Sequence, residues 1–427
     1  MNHPDRRRGL ARWIALFILA ASTALADPPH APFELKDGDR VVFLGGTFIE
    51  REQSYGYLET LLTSRFPDRN ITFRNLGWSG DNVWGEARAR FGKVPEGFAH
   101  LKEHVEALKP TVIFVNYGLN ESFAGKAGLP EFEMGLNTLL DVLDKTRARI
   151  VLITPRQLEN LGPPLPDPAK ANERLADYVA VLRRIGSSRG YRIVDLFEDW
   201  KPGPPPIVTS SGIRITTERD RIMTDNGLHL TENGYSTAAR IVMGSMGLGH
   251  EPRLSDTNFV LLPDGTQIME KSASLKGSDV AFDSVKAARR GLSFRATLSR
   301  LPEWNPSLSV SIHRMSPGNY ELKIDGKAVK STSATGEMVR FSLENRPEHD
   351  QAEALRAAII AKNELYFYRW RPQNETYLFG FRKHEQGNNA VEIPKFDPLV
   401  AAKEAEIAKL RVPKPHTYEI IRKEEGR

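Results

Sequence analysis

Four short polar motifs in this sequence could together carry out acyl transfer. A turn before an apolar helical run presents a single histidine, His229, and an imidazole titrates close enough to neutrality to serve as a general base. Thr47 offers a hydroxyl as a nucleophile, Gly80 allows close backbone approach, and Asn120 offers a side-chain amide for a developing oxyanion. Asn226, three residues before the histidine, is placed to orient it. The motifs therefore predict a hydrolase site.

These motifs follow segments with the hydrophobic patterns of alternating strands and helices. Between residues 37 and 249, apolar runs typical of buried parallel strands lie at 40–44, 71–76, 111–115, 150–154 and 191–196. Amphipathic helical patterns lie at 50–66, 97–108, 132–143, 169–185 and 232–246. Such alternation predicts a parallel sheet with helices on both faces, and ligands bind beyond the carboxyl ends of its strands. Three motifs follow strand ends, so we expect them to meet in one crevice.

In order and spacing, the motifs resemble the four catalytic blocks of the SGNH/GDSL hydrolase superfamily, over roughly residues 38–248. The segments that carry the resemblance are Gly45-Gly46-Thr47, Asn75-Leu76-Gly77-Trp78-Ser79-Gly80-Asp81, Gly118-Leu119-Asn120-Glu121-Ser122 and the turn Asp225 to Thr231. The resemblance implies a flavodoxin-like three-layer α/β/α fold with a parallel sheet. It also implies a nucleophile at Thr47, oxyanion donors at Gly80 and Asn120, and a base at His229. Asn226 stands at the position of the aspartate that orients the base.

The resemblance also carries an expected activity. Including its C-terminal extension, the chain is similar to secreted, planctomycete-like members of that superfamily. This implies an exported carboxylic ester hydrolase that acts on a small-molecule or polysaccharide ester, with an acetyl ester of a carbohydrate as the first candidate. The mechanism needs no metal and no organic cofactor.

Three positions depart from the family pattern and leave a second interpretation open. Threonine replaces the nucleophilic serine at Thr47, and its β-methyl group stiffens χ1. Gly46 replaces an aspartate, and Asn226 replaces the aspartate that would stabilise an imidazolium. The alternative is a catalytically degenerate SGNH fold that binds a ligand such as a carbohydrate, or that takes part in envelope assembly.

The first 26 residues have the pattern of a secretory signal peptide. An arginine-rich start precedes an apolar stretch that ends in Ala24-Leu25-Ala26, a typical cleavage site, and the arginine run also fits twin-arginine export. This predicts a periplasmic or extracellular protein with no transmembrane segment after cleavage.

Removing the first 26 residues leaves 55 basic and 53 acidic residues, a formal net charge of +2, so nothing in the charge favours a nucleic-acid partner. The sequence has no cysteine, which excludes disulfides and thiolate metal sites.

Beyond the alternating region the pattern changes twice. Short β-like runs and an Asp325-Gly326 hairpin signal predict a small antiparallel β module over residues 256–345. A helical C-terminal extension is predicted over residues 346–427, with an aromatic segment, 370–377, that could either bind sugar or pack against the main domain, which is predicted over residues 37–250. The sequence does not indicate the oligomeric state.

One motif outside these segments has the form of a metal site. His100 to His104 match the H-x-x-E-H pattern of some zinc proteases. The apolar stripe of that predicted helix leaves the histidines off its centre, and no third ligand is evident, so we predict no metal there.

Overall fold

The computed structural model describes residues 32–201, 207–208, 214–215, 223–249, 257–261, 267–271, 280–288, 291–298, 301, 308–313, 317–334, 338–343, 346–386 and 389–423. The signal peptide predicted at residues 1–26 lies outside these residues. Among the helices that are described, none is long and apolar enough to cross a membrane.

A five-stranded parallel sheet in the order β2-β1-β3-β4-β5 forms the centre of the first half of the chain. Its strands are β1 (Arg40–Gly45), β2 (Thr72–Gly77), β3 (Val112–Asn116), β4 (Arg149–Ile153) and β5 (Arg192–Val194). This order is that of flavodoxin-like doubly wound folds. Gly45 at the end of β1 pairs with Gly77 of β2 and with Asn116 of β3, so the loops after these strands leave from one edge of the sheet.

Helices cover both faces of this sheet. They are α1 (Thr47–Tyr55), α2 (Tyr57–Arg65), α3 (Val94–Ala107), α4 (Leu129–Asp144), α5 (Ala169–Ser188), the short α6 (Leu196–Asp199) and α7 (Glu232–Ser245). Successive strand residues face opposite sides, so Val41 and Phe43 pack with α2 and α7, while Val42 and Leu44 pack with α3, α4 and α5. The predicted three-layer α/β/α fold is confirmed.

The second half of the chain forms two further sheets. Its strands, after the two-residue β6 (Ile207–Val208) and β7 (Arg214–Ile215), are β8 (Thr257–Leu261), β9 (Gln267–Lys271), β10 (Val280–Ala288), β11 (Gly291–Leu298), β12 (Leu308–His313), β13 (Gly318–Ile324), β14 (Lys327–Ala334), β15 (Met338–Leu343) and β16 (His416–Arg422). One sheet has the order β10-β11-β16-β13-β14 and the other β15-β12-β8-β9. The predicted β-rich region is therefore present.

Two details correct the sequence analysis of this region. The β module is not wholly antiparallel, because β8 and β12 pair in parallel. The extension predicted as helical over residues 346–427 contains the strand β16, which lies between β11 and β13. Local pattern did not reveal β16 because its hydrogen-bonding partners are distant in the sequence. The domain boundaries predicted from the sequence, 37–250, 256–345 and 346–427, stay a prediction.

Three helices precede β16, and the longest of them packs against the α/β part. They are α8 (Pro347–Trp370), the short α9 (Glu375–Leu378) and α10 (Phe396–Leu410). Lys362 of α8 donates to Glu59 Oε1 of α2 at 2.6 Å, and Asn363 donates to Glu59 Oε2 at 3.1 Å. The helix predicted at 50–66 is broken at Gly56, whose φ of 67° is left-handed, and a Cβ there would lie 3.1 Å from Ile360 of α8. The close approach at Gly56 and the buried ion pair between Lys362 and Glu59 hold α8 against the α/β part of the chain.

Candidate active site

Thr47 is the first residue of α1, directly beyond the end of β1. Gly46 is the N-cap residue, and no side chain caps this helix end. Gly45 lies so close to β3 that a Cβ would stand 2.5 Å from the backbone oxygen of Asn116. Because the N-cap is Gly46, the hydroxyl of Thr47 is not the helix cap that threonine often supplies. The N–H groups of this first helical turn have no partner within the helix.

Gly80 brings its backbone N–H to the Thr47 hydroxyl. It lies in the loop after β2, with a φ of 79° in the left-handed region that favours glycine. Its N–H donates to Thr47 Oγ1 at 3.3 Å. The candidate nucleophile and the candidate oxyanion donor, which come from separate motifs, are thus neighbours in space.

A buried network holds this loop and the amide of Asn120 together. Arg88 and Asp81 form a fully buried ion pair with Nε and Oδ2 2.7 Å apart, and Tyr117 Oη donates to the same oxygen at 3.0 Å. Asn120 Nδ2 donates to the backbone oxygen of Asp81 at 2.7 Å. An amide nitrogen carries two hydrogens, so this bond fixes Asn120 at the loop and leaves its second N–H for a ligand.

His229 projects from a tight turn between Thr224 and Leu230, which form an isolated antiparallel bridge. Asn226 holds this turn because its Oδ1 accepts the backbone N–H of Leu228 at 3.0 Å and that of His229 at 2.7 Å. The helix α7 follows at once. Its N-cap is Thr231, with the hydroxyl accepting the N–H of Gly234.

The surroundings of His229 favour the neutral imidazole. Partial burial lowers its pKa below the usual value, and the positive charges of Arg51 and Arg156 lower the pKa further. Asp225 acts in the opposite direction, since its negative charge raises the pKa of the same ring. The net direction is downward, so the neutral ring is favoured more than in a free histidine.

The hydrogen bond between Asn226 and His229 determines which nitrogen carries the ring proton. Asn226 Nδ2 lies 3.2 Å from His229 Nδ1. The amide oxygen already accepts two backbone N–H groups, so the NH₂ group faces the ring. An NH₂ group donates, so Nδ1 accepts and the proton of the neutral ring is on Nε2. A general base that acts through Nε2, as in the serine-protease triad, needs the opposite tautomer.

Thr47, Asn120 and His229 line one small cleft at the carboxyl edge of the sheet, with a cavity volume of about 60 Å³. Its apolar walls are formed by Phe48, Leu119, Pro155, Leu196, Leu228, Leu230 and Tyr235. Gly80 joins the cleft through its contact with Thr47, and Asn226 lies behind His229 rather than in the lining. No hydrogen bond links the side chains of Thr47 and His229, both of which are described.

A model of the GDSL-like Lipase/Acylhydrolase family matches residues 25–236. The chain carries a domain of this family. A comparison with curated protein sequences gave no match. Among solved structures, BT4096, a gut microbial diltiazem-metabolizing enzyme, matches with a TM-score of 0.65 at 13% identity over 91% of this chain and 99% of that chain. The fold of most of the chain, and not only of the GDSL-like domain, is therefore shared with a known structure.

Two further matches cover about half of the chain. An acetyl xylan esterase, AlAXEase, matches 48% of this chain and 98% of its own, at 16% identity and a TM-score of 0.37. A lipase/acylhydrolase from Enterococcus faecalis matches 49% of this chain and 96% of its own, at 17% identity and a TM-score of 0.33.

Two arginines line the cleft of the GDSL-like domain and were missed by the sequence analysis. Arg156 is buried, its guanidinium donates to the backbone oxygens of Gln157 and Leu228, and burial lowers its pKa to about 10. Arg51 lies 3.8 Å from Asp225 in a partly exposed ion pair. Arg156 directly follows Pro155, which ends a predicted strand, and this position at a strand end was the one available signal.

A larger cavity, of about 690 Å³, lies between α3, α8 and α10. We take the smaller cleft as the candidate active site, because the strand-end motifs converge there. His104 borders the larger cavity and packs edge-on against Trp370, and burial lowers its pKa to about 4. His100 Nδ1 contacts the backbone oxygen of Arg88 instead. The described residues contain no group of three or more histidines and carboxylates that could hold a metal.

Proposed function

We propose that this GDSL-like domain is an exported carboxylic ester hydrolase that removes a small acyl group, with acetylated carbohydrates as the first substrate class. The observation that carries the proposal is the contact of Gly80 N–H with Thr47 Oγ1 at 3.3 Å. It joins a hydroxyl to an oxyanion donor in a cleft that also holds Asn120 and His229. The family match supports acyl-ester chemistry in general, and the small cleft volume favours a short acyl group.

In the proposed reaction the ring proton of His229 first moves from Nε2 to Nδ1, and Thr47 Oγ1 then attacks the carbonyl carbon of the ester while its own proton passes to Nε2. The carbonyl π electrons move to the oxygen, and this oxyanion accepts hydrogen bonds from Gly80 N–H, from the free N–H of Asn120 and from the first turn of α1. Collapse of the intermediate breaks the bond to the alcohol, which leaves with the proton from His229. Water then attacks the acyl-threonine in the same way, releasing the carboxylic acid and restoring the hydroxyl of Thr47.

The tautomer of His229 sets the speed of this reaction. Nε2 accepts a proton only after the ring proton has moved to Nδ1, where it would face the NH₂ group of Asn226. Replacing the aspartate by asparagine in the serine-protease triad lowers kcat by about 10⁴-fold for this reason. We therefore infer slow turnover, limited by Asn226 rather than by the oxyanion donors.

One observation favours a second function. With its proton on Nε2, His229 becomes a hydrogen-bond donor like Gly80 and Asn120, so the cleft presents donors to any bound oxygen. This arrangement suits a module that binds an acyl group or a carbohydrate without cleaving it. Such a module would retain an acetylated ligand that a hydrolase releases.

Hydrolysis of aryl acetates and of an acetylated oligosaccharide, followed for the purified mature protein, separates the two functions. A hydrolase loses activity in both Thr47→Ala and His229→Ala, whereas Arg189→Met, which removes ion pairs with Asp141 and Asp144 at the C-terminal end of α5, leaves activity unchanged. If no ester in the panel is cleaved and calorimetry still detects binding of the acetylated oligosaccharide, the binding function replaces the hydrolase.

Export rests on the pattern of residues 1–26. Expression of the full chain and of a chain that lacks these residues, followed by cell fractionation, tests it. The full chain is expected in the periplasm or medium, shortened at its N-terminus. Retention of both forms in the cytoplasm would contradict export.

A further inference from the structure

The loop formed by residues 78–80, named here the oxyanion loop, is contacted by the C-terminal extension as well as by its own domain. We propose that Arg371, directly after α8, is a positioning residue that holds this loop through Glu50 and Trp78. Its meaning for catalysis rests on the proposed esterase function. Its effect on the loop does not, and this allows the two to be tested separately.

The contacts form a continuous path from the extension to the candidate nucleophile. Arg371 Nη1 donates to Glu50 Oε2 in an ion pair whose two side chains are about four-fifths buried. Glu50 in turn accepts Ser79 N–H at 2.7 Å and Ser79 Oγ at 2.9 Å through its two carboxylate oxygens. The next residue, Gly80, donates its N–H to Thr47 Oγ1.

Arg371 also covers the first residue of the loop. Its guanidinium carbon lies 3.7 Å from the centroid of the Trp78 ring, close enough for a cation–π contact. The indole of Trp370, the residue before Arg371, meets Trp78 edge-on with centroids 5.8 Å apart. The aromatic segment of the extension is thus used in packing against the GDSL-like domain at this point.

The other contacts that hold the loop are at its two ends: Trp78 N–H donates to Gly45 O at 2.9 Å, and Asp81 N–H donates to Trp78 O at 3.0 Å. The buried pair of Asp81 and Arg88 fixes the end of the loop. Ser79 and Gly80 are exposed, and a Cβ on Gly80 would meet no atom within 4 Å, so packing does not restrain them. The backbone N–H and the hydroxyl of Ser79 both donate to Glu50, whose negative charge is paired with Arg371.

The extension can position the loop because α8 is itself held against the α/β part by buried hydrogen bonds. The buried contacts of Lys362 and Asn363 with Glu59 lie within the last three turns of α8. Arg371 follows as the C-cap residue, with its N–H bonded to Phe367 O at 2.9 Å. An arginine is required rather than any cation, because one planar group both stacks on Trp78 and pairs with Glu50.

Backbone amide exchange in a peptide that spans residues 77–82, compared in wild type, Arg371→Met and Arg371→Lys, tests the proposal. Glu50→Gln offers a second, milder break of the same path if Arg371→Met folds poorly. The control is Arg369→Met, which removes a partly exposed ion pair with Asp397 from the same helix end. We expect exchange in this peptide to be at least about tenfold faster in Arg371→Met, intermediate in Arg371→Lys, and unchanged in the control.

Kinetics on the best acetyl ester provide the catalytic readout. Losing one oxyanion donor typically lowers kcat by about 100- to 1,000-fold, and a displaced donor should lower it by at least about tenfold, with KM little changed. Equal exchange in Arg371→Met and the control would overturn the positioning role, whatever the activity. Faster exchange without ester hydrolysis by any form would leave the role intact and refute the esterase function instead.

Discussion

The two sides of the cleft are built in different ways. The donor side, with Thr47, Gly80 and Asn120, is anchored by a fully buried ion pair, and it is braced by the C-terminal extension. The histidine side is a partly exposed turn, held by the side chain of Asn226 and by the bond from Arg156 to Leu228 O. In the proposed mechanism the donor side is pre-organised for an oxyanion, while the histidine side holds a tautomer unsuited to a base.

This difference separates the two tasks of an acyl hydrolase. Oxyanion stabilisation depends on fixed donors, and these are present whether or not the reaction turns over. Proton transfer depends on one hydrogen bond behind His229, where an amide stands in place of a carboxylate. Single substitutions on each side should therefore have separable effects.

The largest effect is expected from Asn226→Asp on the histidine side. A carboxylate accepts a hydrogen bond from Nδ1–H, so it would place the ring proton on Nδ1 and free Nε2 to act as a base. By analogy with the triad, kcat for an acetyl ester should rise by up to about 10⁴-fold. Steady-state kinetics measure this rise, and the double variant Thr47→Ser/Asn226→Asp should be at least as fast.

The matched control is Asp225→Asn, which changes a neighbouring exposed side chain that makes no contact with Nδ1 among the described bonds. Its kcat at neutral pH should stay close to wild type. A decrease or no change in kcat for Asn226→Asp would show that the tautomer does not limit the reaction.

On the donor side, Arg88→Met should destabilise the fold strongly. It leaves Asp81 buried without its cation, and breaking a buried pair costs about 3–5 kcal/mol. Denaturant unfolding measures the loss. Lys102→Met, which removes an exposed i,i+4 pair with Glu106, should cost no more than about 1 kcal/mol. Comparable losses in both variants would contradict the rigid donor side.

Two glycines, one on each side, allow a finer comparison. Gly80 and Gly227 have φ values of 79° and 81°, and a side chain in this region costs about 1–2 kcal/mol. A Cβ at Gly80 would meet nothing, whereas one at Gly227 would lie 2.8 Å from Glu159 O. Unfolding measurements should therefore show a smaller loss for Gly80→Ala than for Gly227→Ala. The opposite order would mean that Gly80 is packed in solution.

The sequence predicted the features that depend on local patterns, and it did not predict those that depend on contacts between residues far apart along the chain. Buried parallel strands are continuous apolar runs, so all five were found close to their observed positions. The strand-end rule also predicted that Thr47, Gly80 and Asn120 meet in one place, and the family resemblance added His229. The catalytic roles of these residues stay predictions. The strand β16 and the pair of Arg371 with Glu50 had no local signal, because their partners lie far along the chain.

The smallest expected effect concerns the pH dependence of kcat/KM. The base must be neutral, so activity falls as pH decreases through the pKa of His229, and burial together with Arg51 holds that pKa below its usual value of 6.5. Removing the positive charge in Arg51→Met should raise the pKa and move the acidic limb to higher pH. Removing the negative charge in Asp225→Asn should lower the pKa and move the limb to lower pH. Arg189→Met, which removes ion pairs with Asp141 and Asp144 at the C-terminal end of α5, should leave the acidic limb where it is. Shifts of the same sign in the first two variants would show that the acidic limb belongs to a group other than His229.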